Sequence, residues 1–194
     1  MRKKGNFFPT TYEGPMIQPI CRMGNPILRK KTEEISKDYL LSDDFRQLLI
    51  DLRDSMKHYG GIGIAAPQIG VDLQVAIIEL MGFNRYGEEV NLPLTTFVNP
   101  KIEYLTNEEQ GFWEGCLSVP GLRGFVERPK KVRVRYLNEK AEPQEIVAEG
   151  FLATVLQHEL DHLQGILYVD RIKDPKLLSY QEEFEQFIQA QTLE

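Results

Sequence analysis

From Ser42 onward the apolar positions fall at helical steps: Phe45, Leu48, Leu49, Leu52 and Met56 recur three and four residues apart until Gly60 and Gly61 end the run. With Ser42 as a cap, this spacing predicts an N-terminal helix that lays one face on the core. Gln74 to Leu80 and Thr96 to Leu105 are short apolar runs rich in β-branched residues and predict strands. The loop between them, Met81 to Thr95, is polar and contains Gly82 and Gly87. Lys131 to Tyr136 alternates valine with charge, and Gln144 to Ala148 is expected to pair with it as an antiparallel hairpin, turning near Asn138 to Lys140. A second helix is expected from Phe151 to Leu163, stopped by Gly165, and a third from Pro175 towards the C-terminus. Strands precede helices without regular βαβ alternation, so the fold class is α+β. The expected architecture is antiparallel strands packed around a central helix, with an N-terminal and a C-terminal helix. Residues Met1 to Pro19 lack periodicity and read as an arm, leaving residues 20–194 as a single domain.

Composition narrows the function classes. The 194 residues, 42% hydrophobic, suffice for one substantial core. No apolar run approaches the roughly 20 residues of a membrane-spanning helix. The cysteines, Cys21 and Cys116, have no framework spacing, which favours reduced thiols and a cytoplasmic location. A net charge of -6 argues against a nucleic-acid substrate.

The segment His158-Glu159-Leu160-Asp161-His162 carries the strongest chemical signal. Two imidazoles four residues apart on a helix stand on one face and can share a metal, while Glu159 lies to the side, beside the metal rather than on it. A catalytic site commonly needs a third protein ligand. Cys116, within Glu114-Gly115-Cys116-Leu117-Ser118, is one candidate, since a thiolate suits a borderline ion. Glu182 or Glu183, about twenty residues after His162, is the other, and would make the chain a zinc metallopeptidase. Cys21 has no site residues near it and reads as a small buried hydrophobe. Gly61-Ile62-Gly63-Ile64-Ala65-Ala66-Pro67-Gln68 follows the first helix; its small residues would let a substrate chain pass close to the backbone, or simply close the helix.

Taken together, these three segments resemble the peptide deformylase family, whose signatures are Gly-x-Gly-x-Ala-Ala-x-Gln, Glu-Gly-Cys-x-Ser and His-Glu-x-x-His in that order. The likeness extends to Val119-Pro120-Gly121, Arg123, Arg128, Gln157 and Asp161, and so runs from about Ile20 to Asp170. It implies metal-dependent removal of the N-formyl group from N-formylmethionine at the start of new polypeptides. It implies one divalent metal ion per chain, held by Cys116, His158 and His162. Fe(II) would be the physiological ion, with zinc, nickel or cobalt able to replace it. Glu159 would be catalytic, and the Gln68 amide and the Leu117 N–H would meet the substrate carbonyl. Ile62, Gly63 and Val155 are candidates for the methionine pocket, and Gly115 and Arg123 for further substrate contacts. The alternative reading for the pocket positions is ordinary core packing, more so for Val155 than for Ile62, and Arg123 could instead simply face water. Glu114 and Arg128 could form an ion pair that braces the Cys116 segment, or equally stand apart on the surface. The N-terminal arm and the Met81 to Thr95 loop depart from shorter family members.

Some family members dock on the ribosome through a basic C-terminal helix. After Lys176 this chain has Glu182, Glu183, Glu185 and Glu194 and no Lys or Arg, so ribosome contact is not expected through its tail. Leu177, Tyr180, Phe184, Phe187, Ile188 and Gln191 form an apolar stripe expected to pack on the protein's own body, with a homodimer contact as the alternative. The chain is accordingly expected to be a monomer or a homodimer.

Overall fold

The computed structural model describes residues 17–84, 87 and 89–189. After a 3-10 turn at Pro26–Arg29, the short helix α1 (Lys37–Leu40) is capped by the Ser36 hydroxyl, which accepts from the Tyr39 N–H. Helix α2 (Asp43–His58) starts as expected at Ser42, whose hydroxyl accepts from the Phe45 N–H. Acidic residues in its first turn and Lys57 and His58 in its last match the helix dipole. Its buried face is Phe45, Leu48, Leu52 and Met56.

Seven strands follow before the next helix: β1 (Gly63–Ala65), β2 (Val75–Leu80), β3 (Leu92–Tyr104), β4 (Glu109–Cys116), β5 (Val119–Pro129), β6 (Lys131–Leu137) and β7 (Pro143–Glu149). Strands β1-β2-β3-β6-β7 make one antiparallel sheet. Helix α3 (Gly150–His162) packs on one face of it, joining Ala153, Leu156 and Leu160 to Ala76, Ile78, Phe97 and Val132. Helix α2 packs on the other face, where Leu52 and Met56 meet Val75, Ile77 and Val98. Strand β2 is thus buried on both faces, which explains why it reads as a continuous apolar run. The expected hairpin is β6–β7, with Arg133 opposite Val147; at its turn the Asn138 side-chain oxygen accepts from the Lys140 and Glu142 N–H groups.

A second sheet, β4-β5-β8, was not anticipated; β8 is Leu178–Tyr180. Strand β3 also begins at Leu92 rather than Thr96, so the far side of the expected loop is strand. The C-terminal helix is shorter than expected from Pro175. A 3-10 turn at Pro175–Leu177 leads into β8, and helical geometry resumes at α4 (Gln181–Glu183) and a π-type turn over Phe184–Ile188. Pairing of Leu178–Tyr180 with Leu122–Gly124 of β5 overrides local helix propensity there. The apolar stripe is correspondingly broken: Phe184 is buried, Tyr180 and Phe187 are exposed, and Gln191 lies outside the described residues. Of the N-terminal arm, residues 1–16 lie outside the described residues; the Gln18 amide donates to Asp51 at 3.0 Å, tying the chain to α2. Among the described residues no helix is long and apolar enough to cross a membrane.

Candidate metal centre and active site

Helix α3 is buried continuously from Ala153 to His162, so its two histidines project inward between the sheets. Their rings lie 5.2 Å apart, one turn from each other. Strand β4 brings Cys116 to the same point, with its sulfur 3.4 Å from His162 Nε2. The ligand atoms of Cys116, His158 and His162 all lie within 4.8 Å of one another. An irregularity between Glu114 and Cys116 in the β4–β5 ladder re-aims the end of the strand.

The surroundings orient these donors. His158 Nδ1 lies 2.7 Å from Glu114 Oε2, which leaves Nε2 to face the thiol. Arg128, 2% exposed, donates to both Glu114 oxygens at 2.6 and 2.9 Å and to Asp161 at 2.7 Å. Arg171 donates to Asp161 from the other side at 2.5 Å. The Glu114–Arg128 pair is therefore present, but as half of a buried network that reaches α3 and the segment after it. Burial works against the Glu114 charge, yet the hydrogen bonds from Arg128 and His158 hold its pKa down at about 2. Burial would likewise push the Cys116 thiol up, but His162 and His158 outweigh it and hold the thiol well below its ordinary range. For His158 burial opposes the charge, and Cys116 and Glu114 carry its pKa well above the usual value. A thiolate and two imidazole nitrogens converging in this way are a fitting donor set for one borderline divalent ion.

Glu159 sits beside this group, 5% exposed, with its Oε2 buried and, among the described residues, without a hydrogen-bond partner. Burial raises its pKa above the ordinary carboxylate range. Gln68 enters from the 3-10 turn Ala66–Ile69. Its Oε1 accepts from the Ala65 N–H at 2.8 Å, so its NH₂ points into the site, 3.2 Å from Ser118 Oγ and 3.6 Å from Cys116 Sγ.

A cavity of about 650 Å³ opens over these groups. Gln68, Cys116, Leu117, His158 and Glu159 line it, as do Ile62, Gly63, Gly115, Arg123 and Val155. Ile62 is on the rim, 44% exposed, whereas Val155 is buried in the α3 core as well as touching the cavity. A Cβ on Gly115 would stand 1.8 Å from Arg123 Nη1, so the absent side chain makes room for the guanidinium. Glu182 and Glu183 are exposed on the C-terminal turn and do not join the metal-site group, which removes the glutamate alternative for the third ligand. Cys21, half-buried, packs at the edge of the apolar cluster around Leu28, Val119 and Tyr168, against which Cys116 also packs.

Sequence reasoning missed Trp113, Phe151 and Thr154, which also line the cavity, and Tyr168, whose ring stacks on His158 at 6.0 Å. Recognising β4 as a strand would have supplied Trp113, since it lies on the same face as Gly115.

Comparison with known proteins agrees with this geometry. The profile of the polypeptide deformylase family matches residues 17–177. The chain is 44% identical over 170 residues to a peptide deformylase of Leptospira biflexa, covering 87% of this chain and 95% of that one. It is 41% identical over 167 residues to peptide deformylase 2 of Pseudomonas putida, covering 86% and 94%. Among solved structures, it is similar to a class I type b peptide deformylase of Acinetobacter baumannii determined with Met-Ala-Ser bound. There the TM-score is 0.78 and the identity 38%, over 82% of this chain and 100% of that one. A Synechococcus elongatus peptide deformylase in complex with actinonin has a TM-score of 0.73 and 32% identity, over 96% and 94%.

Proposed function

The chain belongs to the polypeptide deformylase family, and from that premise we propose how its own residues remove the N-formyl group from nascent peptides. The observation that carries the proposal is the buried Glu159 carboxylate, whose Oε2 has no hydrogen-bond partner among the described residues, beside the converging Cys116, His158 and His162 at the foot of an open cavity. These three residues would hold Fe(II), and the same donors accept zinc, nickel or cobalt. A divalent ion held there supplies Lewis acidity and lowers the pKa of water, so that a nucleophile is available near neutral pH.

Glu159 takes the proton from the attacking water. The charge that develops on the formyl oxygen meets the Gln68 NH₂, fixed by the Ala65 hydrogen bond, and the Leu117 backbone N–H. Glu159 then returns the proton to the departing amine. Burial raises the Glu159 pKa, which suits both acceptance and return of the proton. Selectivity for formyl over larger acyl groups is steric, the floor of the cavity being narrowed where Gly63 abuts the Glu159 carboxylate. Ile62, Gly63 and Val155 receive the methionine side chain. The enzyme works in the cytoplasm with reduced thiols, as a monomer or homodimer, and reaches the ribosome, if at all, by a surface other than its acidic C-terminal segment.

Met-Ala-Ser, the peptide bound in the Acinetobacter baumannii relative, gives the probe. The metal-loaded protein is expected to release formate from formyl-Met-Ala-Ser and to leave acetyl-Met-Ala-Ser intact. Equal hydrolysis of both would refute steric selection of the formyl group.

A further inference from the structure

The mechanism uses the floor of the cavity, but one wall is built by a segment that plays no part in it. Trp113 lines the cavity three residues before Cys116 on β4. At about 3.3 Å per extended residue it stands roughly 10 Å along the strand from the ligand. A peptide whose formyl carbon lies at Glu159 reaches that distance with its second or third residue. The Trp113 indole is not held by β4 alone: it meets Phe125 edge-on at 5.9 Å and lies against Phe184 at 5.1 Å.

Phe184 is 3% exposed, although it belongs to the C-terminal turn. That turn leaves β8, which is tied to β5 with Leu122 opposite Tyr180 and Arg123 opposite Ser179. Gln181, the first residue past β8, lines the same cavity as Trp113 and Arg123. Its NH₂ donates to Glu185 at 2.8 Å, which leaves the amide oxygen as an acceptor for a peptide N–H.

We propose that residues 178–188 form a wall of the peptide groove: Phe184 positions Trp113, and Trp113 with Gln181 recognises the second and third residues of the formylated peptide. This rests on the deformylase reading above. The acidic C-terminal segment is thereby a substrate-length sensor, which gives formyl-Met-Ala-Ser an advantage over formyl-Met amide.

The test compares kcat/KM for these two substrates in the metal-loaded enzyme and in its Phe184→Ala, Phe184→Leu and Gln181→Ala variants. The ratio of tripeptide to amide is expected to fall about three- to tenfold in Phe184→Ala and Gln181→Ala, through KM. Phe184→Leu, which keeps most of the bulk, should retain most of the ratio. Trp113 is the only tryptophan of the chain, so its emission reports independently on the wall. Titration with Met-Ala-Ser should change that emission in the wild type, and the half-response concentration should rise in Phe184→Ala. If Phe184→Ala does not fold, Gln181→Ala and the wild-type titration decide. A wild type that deformylates both substrates, with the ratio unchanged in the folded variants and emission indifferent to Met-Ala-Ser, overturns the inference and spares the deformylase reading. A wild type that releases no formate overturns both.

Discussion

Gly63 is the position where the account is easiest to break with one methyl group. A Cβ built there would stand 2.5 Å from Glu159 Oε1, 2.6 Å from Cδ and 2.7 Å from Cγ. Moving from 2.5 Å to the 3.4 Å of ordinary contact requires the carboxylate to retreat by about 0.9 Å. Gly63 lies in β1 without a left-handed backbone, so alanine itself fits the chain there. The nearest conflicts are with Glu159 Oε1, Cδ and Cγ, so relieving them moves the carboxylate out of its place. A misplacement of about 1 Å in a catalytic group costs on the order of 10² in rate. Complete loss of proton transfer would cost about 10² to 10⁴. Gly63→Ala is therefore expected to lower kcat for formate release about 10²-fold at saturating substrate, with metal content unchanged by elemental analysis. In a Glu159→Gln background the same substitution should cost almost nothing further, because the proton transfer it disturbs is already gone. A Gly63→Ala enzyme within threefold of wild-type kcat, or full additivity of the two substitutions, would refute the placement of Glu159 as the proton carrier.

The buried network makes further predictions. Arg128→Met leaves the buried Glu114 with His158 and Asp161 with Arg171 but removes the cation between them, and should cost about 3–5 kcal/mol in urea unfolding, whereas an unchanged midpoint would mean that the network is dispensable. Because the Glu114 pKa is lowered from 4.5 to about 2, its contribution to stability is complete above 4.5 and lost as pH falls towards 2. Acid titration of the fold should show that loss in the wild type and a smaller one in Arg128→Met. Iron-loaded enzyme should lose activity in peroxide faster than nickel-loaded enzyme, since the Cys116 thiolate would adjoin a redox-active ion; equal decay rates would exclude oxidation centred on iron. Truncation after Lys176 removes β8 and the buried Phe184, and should lower the melting temperature while leaving ribosome affinity at physiological salt unchanged; the reverse pattern would restore a docking role.

Elements with strong local signals were legible from the chain alone. Ser42 capping an apolar stripe gave α2, alternation of valine with charge gave β6, and His158 and His162 at one helical turn gave the metal helix. What escaped was set by pairing between distant segments. Strand β4 contains Gly111 and Gly115, which weaken any strand signal, yet both are glycine because a neighbour lies across them: Phe125 over Gly111 and Arg123 over Gly115. Strand β8 is three residues long and exists through its pairing with β5, so nothing local announces it. Arg128 and Asp161 were singled out individually, but their contact spans 33 residues, and Arg171 joins only because the chain after α3 turns back. The residues alone left Cys116 and Glu182 both open as third ligand and the family resemblance favoured Cys116; the β4–β5 hairpin is what brings that motif to the histidines.

The central claim is that one divalent ion on Cys116, His158 and His162 turns this cavity into a deformylase. Stepwise anaerobic addition of Fe(II) to metal-stripped protein, with formate release from formyl-Met-Ala-Ser measured at each step, tests it most directly. Activity should rise linearly and saturate at one ion per chain, Cys116→Ala should neither bind tightly nor turn over, and Glu182→Ala should match the wild type. No formate from the wild type with iron, zinc, nickel or cobalt, or full activity in Cys116→Ala, would contradict the account.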